Sequence, residues 1–192
     1  MTGALTLKSC NTLLRDYKEK YGDADRATLC EHLGRRTRQM VYRTYAIANT
    51  FESAEFPDPV MVEKRANPLV LCFSGQGPQH WLQGRTLMAA YPVFRDSILA
   101  CDEIYKAYTG QSFLEQTGLF SQESYKSSPL ATSLLWPAEV ISISIAFFQI
   151  AMFDLLTAIG VRPTALVGHS LGETAVLYAS GAASREVGIS TS

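Results

Sequence analysis

Apolar residues recur at helical spacing in the first third of the chain. The first stripe consists of Leu7, Cys10, Leu14, Tyr17 and Tyr21. A second helix carries Leu29 and Leu33, and Gly34 is expected to end it. Residues 39–53 contain many β-branched and aromatic side chains and predict one or two strands. This region is therefore expected to form a small α+β subdomain.

The pattern changes after a segment with three prolines and mixed charge, which marks a boundary near residues 57–68. A short apolar run, LVLCF, then predicts a buried parallel strand that leads into SGQG. A second buried strand is predicted in RPTALVGHS, and LGETAVLYASG predicts the helix that follows it. Strands that alternate with helices indicate an α/β domain with a mainly parallel sheet. The expected domains are residues 1–66 and 67–192.

Helices and a loop separate the two predicted strands. The first helical stretch is one helix, or two broken at Pro92, and a loop-rich segment follows at residues 109–129. A long apolar helix is then expected to start at Trp136 and Pro137 and to stop at Gly160.

The long helix raises the question of a membrane span. Its uncharged run, residues 140–153, has 14 residues and is closed by Glu139 and Asp154. A spanning helix needs about 20 apolar residues. We therefore expect a helix buried on most of its sides in a soluble domain, and no membrane partner.

Composition narrows the classes of partner and location. The 17 Lys and Arg residues nearly balance the 18 Asp and Glu residues, which argues against nucleic acid as a partner. The four cysteines are widely spaced and include no CxxC pair, so we expect reduced, packed side chains and no metal site. The N-terminus lacks the basic start and continuous apolar core of a secretory signal. A cytoplasmic location is expected.

The candidate chemistry centres on a serine motif. Residues 168–172, GHSLG, fit the G-x-S-x-G pattern of a nucleophile elbow, with an apolar strand before it and a helix after it. Ser170 would lie on a strained turn, and the two glycines would let strand and helix approach closely. The helix N-terminus would place backbone N–H groups where an oxyanion develops. The alternative interpretation is a turn without a chemical role.

A second glycine turn, SGQG, follows the other apolar strand. Loops at the carboxyl ends of neighbouring parallel strands converge on one crevice. The N–H group of Gln76 could therefore join that of Leu171 as a second oxyanion donor, while Gly75 and Gly77 allow close backbone approach. A G-x-G pattern alone is equally typical of a tight turn.

Together, FSGQGPQHWLQG, YPVFRDSI and the stretch from WPAEV through the serine motif resemble the acyltransferase domain of polyketide synthases. The malonyl-CoA:acyl-carrier-protein transacylase of fatty-acid synthesis has the same domain, and the sequence style resembles fungal members. Upstream, LCEHLGRRTRQMVYRTYAIA resembles the linker between ketosynthase and acyltransferase. The implied fold is an incomplete acyltransferase core, α/β-hydrolase-like in its parallel sheet and elbow, preceded by the linker subdomain.

This resemblance implies a ping-pong acyl transfer. Ser170 would attack the thioester of malonyl-CoA or a related acyl-CoA, with the backbone N–H groups of Gln76 and Leu171 as the oxyanion hole. The acyl group would then pass to the phosphopantetheine thiol of an acyl carrier protein. No bound cofactor and no metal is implied. A ketosynthase or other megasynthase domains are the implied partners.

The sequence also departs from the family pattern. Trp136 stands where family members usually carry Gln before the Pro that opens the long helix. The family's malonyl-binding arginine and catalytic histidine are expected beyond Ser192. We therefore expect a C-terminally truncated chain of doubtful independent activity, with a sheet edge and the long helix insufficiently covered.

The three histidines of the chain are weighed as replacement bases. His169 adjoins Ser170, and adjacent residues at an elbow tend to point apart, so it is expected to line the pocket. His80 is expected at the pocket rim, since a base must come within hydrogen-bond reach of its proton. His32 is assigned to the linker helix.

Two other classes of function stay open. A lipase or esterase would need an HGGG-type loop and a downstream Asp or Glu and His, and a patatin-like hydrolase an aspartate after the elbow. The sequence has no HGGG-type loop and no His after Ser170, and residues 171–192 contain only Glu173 and Glu186 as acids. A non-catalytic docking remnant of a megasynthase is the other alternative. The basic cluster of Arg35, Arg36, Arg38 and Arg43 is interpreted as a solvated linker face.

Overall fold

The computed structural model describes residues 1–20, 25–37, 40–50, 53–63, 67–121, 129–133 and 135–190. The chain divides into two compact units, Met1–Asn67 and Pro68–Ser192. Of the sequence features above, several lie outside the described residues: Tyr21, Arg38, parts of the segments 39–53 and 57–68, and residues 122–128 of the loop-rich segment.

The first unit combines two helices with an antiparallel sheet. Its elements are β1 (Thr2–Ala4), α1 (Leu7–Lys20), α2 (Arg26–Thr37), β2 (Tyr42–Thr44) and β3 (Val60–Met61). The strand order is β1-β2-β3, with Gly3 opposite Arg43. One strand thus forms within residues 39–53, while β1 and β3 were not predicted because each has only two or three residues.

Helix α2 corrects one sequence expectation. Gly34 does not end it, since the helix continues to Thr37. A Cβ added at Gly34 would meet nothing within 4 Å, so neither a left-handed turn nor a close approach requires glycine there. An isolated glycine lowers helix stability but does not by itself terminate a helix.

The second unit holds a parallel strand pair and six α-helices within its described residues. Their order is β4 (Val70–Phe73), α3 (Arg85–Ala90), α4 (Pro92–Thr109), α5 (Phe113–Thr117), α6 (Ala138–Ala158), β5 (Ala165–Gly168), α7 (Gly172–Ala179) and α8 (Arg185–Ser190). The break before Pro92 is confirmed, because α4 begins at that proline. Helix α6 begins at Ala138, since Pro137 itself has an extended ψ of 142°.

The core of this unit lies where α4 and α6 pack together. Its fully buried side chains include Phe94 and Ile98 of α4 and Phe147 and Ile150 of α6. Phe113 packs its ring against Phe147, with centroids 5.2 Å apart. Burial of such aromatic and aliphatic side chains contributes roughly 1.5–3 kcal/mol each, which makes α6 the central element of the unit.

Helix α6 is long and apolar enough to cross a membrane by length and composition alone, and half of its most apolar stretch is buried within the structure. Its two acidic residues are paired: Glu139 accepts a hydrogen bond from Tyr105, and Asp154 accepts three. A helix packed on α4 with its carboxylates satisfied by protein groups has the features of a core helix.

The parallel pairing of β4 and β5 is confirmed, with Val70 opposite Ala165 and Phe73 opposite Gly168. The expectation that both strands are buried is wrong. Val70 and Val167 remain 52% and 51% exposed. Apolar strand residues predict a sheet covered on both faces, but in the described structure only part of this two-stranded sheet is covered, by α6 and α7.

The cysteines divide into two classes. Cys10 and Cys101 are buried, whereas Cys30 and Cys72 are exposed, so the expectation of packed side chains fails for the latter two. All four are free thiols. Burial raises the pKa of Cys101 from 9.0 to about 12.

The raised pKa of Cys101 predicts a loss of stability at high pH. Between pH 9 and 12 the thiol ionises only in the unfolded chain, so the free energy of unfolding falls as pH rises through that window. We expect the wild type to lose about 1 kcal/mol more than Cys101→Ala between pH 9 and pH 10. Urea unfolding at both pH values measures this difference. Cys72→Ala, which removes an exposed thiol, should retain the wild-type pH dependence, and equal slopes in all three proteins would contradict the expectation.

Candidate active site

Ser170 occupies a sharp turn between strand β5 and helix α7. Strand β5 ends at Gly168, and α7 begins at Gly172. The Ser170 backbone has φ = 55°, a left-handed conformation that non-glycine residues rarely adopt. The turn is closed by hydrogen bonds from Gly172 N to His169 O and from Glu173 N to Ser170 O, both 3.0 Å. This is the strained strand-to-helix geometry predicted for a nucleophile elbow.

The two glycines of the motif are required by close contacts. A Cβ on Gly168 would lie 2.9 Å from Glu173 N, inside the first turn of α7. A Cβ on Gly172 would lie 2.1 Å from the carbonyl oxygen of Phe73, at the end of β4. Helix α7 therefore approaches both strands closely only because neither residue has a side chain.

The SGQG turn lies directly beside the serine turn. His169 N donates to Phe73 O at 3.0 Å, which continues the pairing of β5 with β4 beyond the strands. A Cβ on Gly75 would lie 2.9 Å from both Ser170 Cβ and His169 O. The parallel register thus brings the two motifs together although 95 positions separate Gly75 from Ser170 (170 − 75).

Two backbone donors at these turns have no partner in the described structure, whereas the Gly77 N–H donates to Gln79 Oε1 at 2.7 Å. Within the described residues, the N–H groups of Gln76 and Leu171 donate no hydrogen bond, and the Ser170 hydroxyl makes none either. Gln76 and Ser170 are both exposed. Free N–H groups beside an exposed hydroxyl are what an oxyanion site requires before substrate arrives. Gly77, at φ = 131°, gives the turn a conformation that favours glycine.

Two histidines lie near the turns without contacting the serine hydroxyl. His169 Nδ1 is 3.4 Å from the position of a Cβ on Gly75, and the side chain is exposed. His80 is also exposed and lines two cavities next to the SGQG turn. In the described part of the chain, no histidine hydrogen-bonds to Ser170. His32 belongs to α2 of the first unit.

Cavities of about 360 and 280 Å³ adjoin the SGQG turn. The larger lies between β4 and α6 and is lined mainly by apolar side chains, with Ser74, Gln79, His80, Gln83 and Gln149 as polar members. The smaller is lined by Gln76, Trp81 and Trp136, among others. The Trp136 indole N–H donates to Leu130 O at 3.1 Å, so this side chain is held at the cavity wall.

A partly buried carboxylate, which sequence reasoning missed, ties the elbow helix to the core. Asp154 Oδ1 accepts from the Tyr178 hydroxyl at 2.7 Å, and Oδ2 accepts from Ser97 at 2.5 Å and Arg185 at 2.6 Å. These donors come from α7, α4 and α8. Burial raises the pKa of Tyr178 above its ordinary value of 10.0. The available signal was the carboxylate itself, an acidic residue that directly follows the uncharged run of α6 at residues 140–153.

We expect Asp154→Ala to lower the free energy of unfolding by about 3 kcal/mol, because the Arg185 guanidinium and the Tyr178 hydroxyl lose a shared, largely buried acceptor. Urea unfolding followed by circular dichroism measures the change. The matched control is Arg95→Ala, which breaks an exposed ion pair with Asp96 and should cost less than about 0.5 kcal/mol. Similar losses of unfolding free energy in both variants would contradict the large stabilising contribution expected of the Asp154 cluster.

No group of three or more His, Cys, Asp or Glu side chains suited to a metal ion occurs among the described residues. The predicted absence of a cofactor stays a prediction. The reactive groups of the described site are a serine hydroxyl and, next to it, two free backbone N–H groups.

Comparisons with known proteins agree on one family. The profile of the family described as acyl transferase domain matches residues 70–191. The highly reducing polyketide synthase stpks1 of Strobilurus tenacellus is 44% identical over 154 residues, which are 80% of this chain and 5% of that protein. The highly reducing polyketide synthase azaB of Aspergillus niger is 40% identical over 126 residues, 64% of this chain and 5% of that protein. The chain thus spans about one twentieth of these curated relatives.

Among solved structures, the acyl transferase domain of ZmaA superimposes with a TM-score of 0.84. The superposition covers 98% of this chain and 45% of that one at 19% sequence identity. At this identity the likeness shows the fold alone, an α/β architecture with a parallel sheet.

Proposed function

The chain belongs to the acyl transferase domain family found in fungal polyketide synthases, and from this premise we propose that Ser170 carries an acyl group between a thioester donor and a carrier thiol. The donor is malonyl-CoA or a related acyl-CoA, and the acceptor is the phosphopantetheine thiol of an acyl carrier protein. The observation that carries the proposal is the left-handed Ser170 backbone, with the Gly75 turn within contact distance of the serine.

The first half-reaction begins when Ser170 Oγ attacks the thioester carbonyl carbon. A C–O bond forms, the serine proton leaves for a base or water, and the carbonyl oxygen becomes an oxyanion. The N–H groups of Gln76 and Leu171 are the donors proposed to stabilise that charge, since neither has another partner in the described structure. Collapse of the intermediate re-forms the C=O bond, breaks the C–S bond and releases CoA as a thiol after protonation.

The second half-reaction runs the same steps in reverse order. The carrier thiol, deprotonated as it attacks, forms a C–S bond to the acyl-serine carbonyl, and the same two N–H groups stabilise the new oxyanion. Cleavage of the C–O bond returns a proton to Ser170. Both acyl and thiol groups enter from solvent, which is consistent with the exposure of Ser170 and Gln76. His169, His80, Gly75 and Gly77 are proposed to line the substrate pocket.

The context of this activity is also part of the proposal. The chemistry needs no bound cofactor, and a cytoplasmic location fits the pools of acyl-CoA. We propose that residues 1–66 are the part of a ketosynthase–acyltransferase linker that precedes the domain. The match to the polyketide synthase stpks1 supports this assignment, since it covers 80% of the chain and so extends upstream of residues 67–192.

The experiment is acylation of the purified chain by radiolabelled malonyl-CoA, with intact mass and peptide mapping to locate the label. The expected result is one malonyl group on Ser170, which is transferred to an added carrier protein. Release as free malonate without carrier transfer would favour a serine hydrolase. No adduct on Ser170 under conditions where the chain is folded would overturn the proposal and leave a docking role.

A further inference from the structure

Gln149 of helix α6 reaches across the fold to the SGQG turn. Its Nε2 donates a hydrogen bond to the carbonyl oxygen of Ser74 at 2.6 Å, a contact between residues 75 positions apart. The same carbonyl also lies close to α7, since a Cβ on Gly172 would lie 2.9 Å from it. The first peptide group of the turn is therefore held between α6 and the start of the elbow helix.

The other end of the Gln149 amide is left without a partner. Its Oε1 is buried and accepts no hydrogen bond from any described residue. The neighbouring side chains on the same cavity wall, Phe148 and Met152, are apolar. A buried amide oxygen without a partner disfavours folding, and an apolar side chain of the same length would avoid this cost. A polar residue that disfavours the fold is typical of a position that serves the site.

The held peptide group is next to the proposed oxyanion donor. Ser74 is followed by Gly75, which contacts Ser170, and then by Gln76, whose N–H group is free in the described structure. A displacement of about 1 Å at an active site lowers a rate by as much as about 100-fold. We infer that Gln149 is a positioning residue that fixes the SGQG turn for oxyanion stabilisation. This inference rests on the acyl transfer proposed above.

The decisive variant is Gln149→Met, which keeps the side-chain length and removes both the donor and the orphaned oxygen. We expect the maximal rate of Ser170 acylation to fall about 10- to 100-fold, because oxyanion stabilisation acts in the transition state. The malonyl-CoA concentration at half-maximal rate should change less than about twofold. The melting temperature should stay unchanged or rise, because a buried unsatisfied group is lost.

A second variant, Gln149→Glu, places a carboxylate against the Ser74 carbonyl. It should be slower than Gln149→Met and should also melt at a lower temperature. Ser142→Ala, at a half-buried position on the same helix whose hydroxyl bonds only to the preceding turn, should match the wild type in rate and melting temperature.

The outcomes separate this inference from the proposed function. Acylation of wild-type Ser170 together with a wild-type rate in Gln149→Met would overturn the positioning role alone. A parallel loss of rate and melting temperature in Gln149→Met would assign Gln149 a structural role only, and also overturns the inference. Absence of acylation in the wild type would overturn the proposed function and the inference with it.

Discussion

Ser170→Gly should abolish acylation by malonyl-CoA while raising the free energy of unfolding by about 1 kcal/mol. The two effects have separate causes. The hydroxyl supplies the nucleophile, and its loss should lower the rate at least about 1000-fold. The backbone at φ = 55° strains any residue that has a Cβ, whereas glycine adopts this conformation without strain.

The comparison with Ser170→Ala isolates the two causes. Alanine lacks the hydroxyl but keeps the Cβ, so it should be as inactive as glycine and as stable as the wild type. Acylation is followed by intact mass, and stability by urea unfolding. Residual acylation of either variant would show that another residue carries the acyl group. A lower stability of Ser170→Gly than of Ser170→Ala would contradict the expectation that the backbone at residue 170 is strained.

Gly172→Ala is expected to destabilise the second unit by more than about 4 kcal/mol, a size reached only when a substitution disrupts the core. The added Cβ would lie 2.1 Å from the Phe73 carbonyl oxygen and 2.6 Å from its carbon. Those atoms belong to the backbone of β4 and cannot rotate away as the tip of a side chain would. Helix α7 would have to move off the strand pair, and the SGQG turn would lose its neighbour.

The control for this substitution is Gly188→Ala in α8 of the same unit. Gly188 is buried too, but the nearest atom to its added Cβ is 3.7 Å away, an ordinary van der Waals distance. Alanine there should change the free energy of unfolding by no more than about 1 kcal/mol, in the stabilising direction by helix propensity. Thermal melting of both variants tests the contrast, and comparable melting temperatures would refute the steric account of Gly172.

The serine turn could be predicted from sequence because its geometry follows from local chemistry. Two glycines around a serine, between an apolar strand and a helix, specify a sharp turn wherever they occur. The proximity of Gly75 and Ser170 also followed, since adjacent parallel strands present their carboxyl ends on one side. The roles of Gln76 and Leu171 as donors stay predictions that the experiments above test.

What sequence could not show depends on contacts between distant segments. The hydrogen bond from Gln149 to Ser74 and the convergence of three donors on Asp154 arise from the packing of α6 against its neighbours. Neither of these two sets of contacts corresponds to a local sequence pattern. The burial predicted for β4 and β5 from their apolar residues was wrong for a related reason, because such residues show which environment a strand prefers and not which elements cover it. The resemblance to the family, by contrast, had implied an insufficiently covered sheet edge.

Helix α6 contacts both halves of the site, the SGQG turn through Gln149 and the elbow helix through Asp154. These two side chains are five positions apart (154 − 149), which corresponds to a rise of about 7.5 Å and a rotation of about 140°. Inserting or deleting one residue between them would rotate one contact by about 100° relative to the other. In evolutionary terms, this stretch of α6 should accept substitutions among relatives but keep its length invariant, while length variation accumulates in the loops.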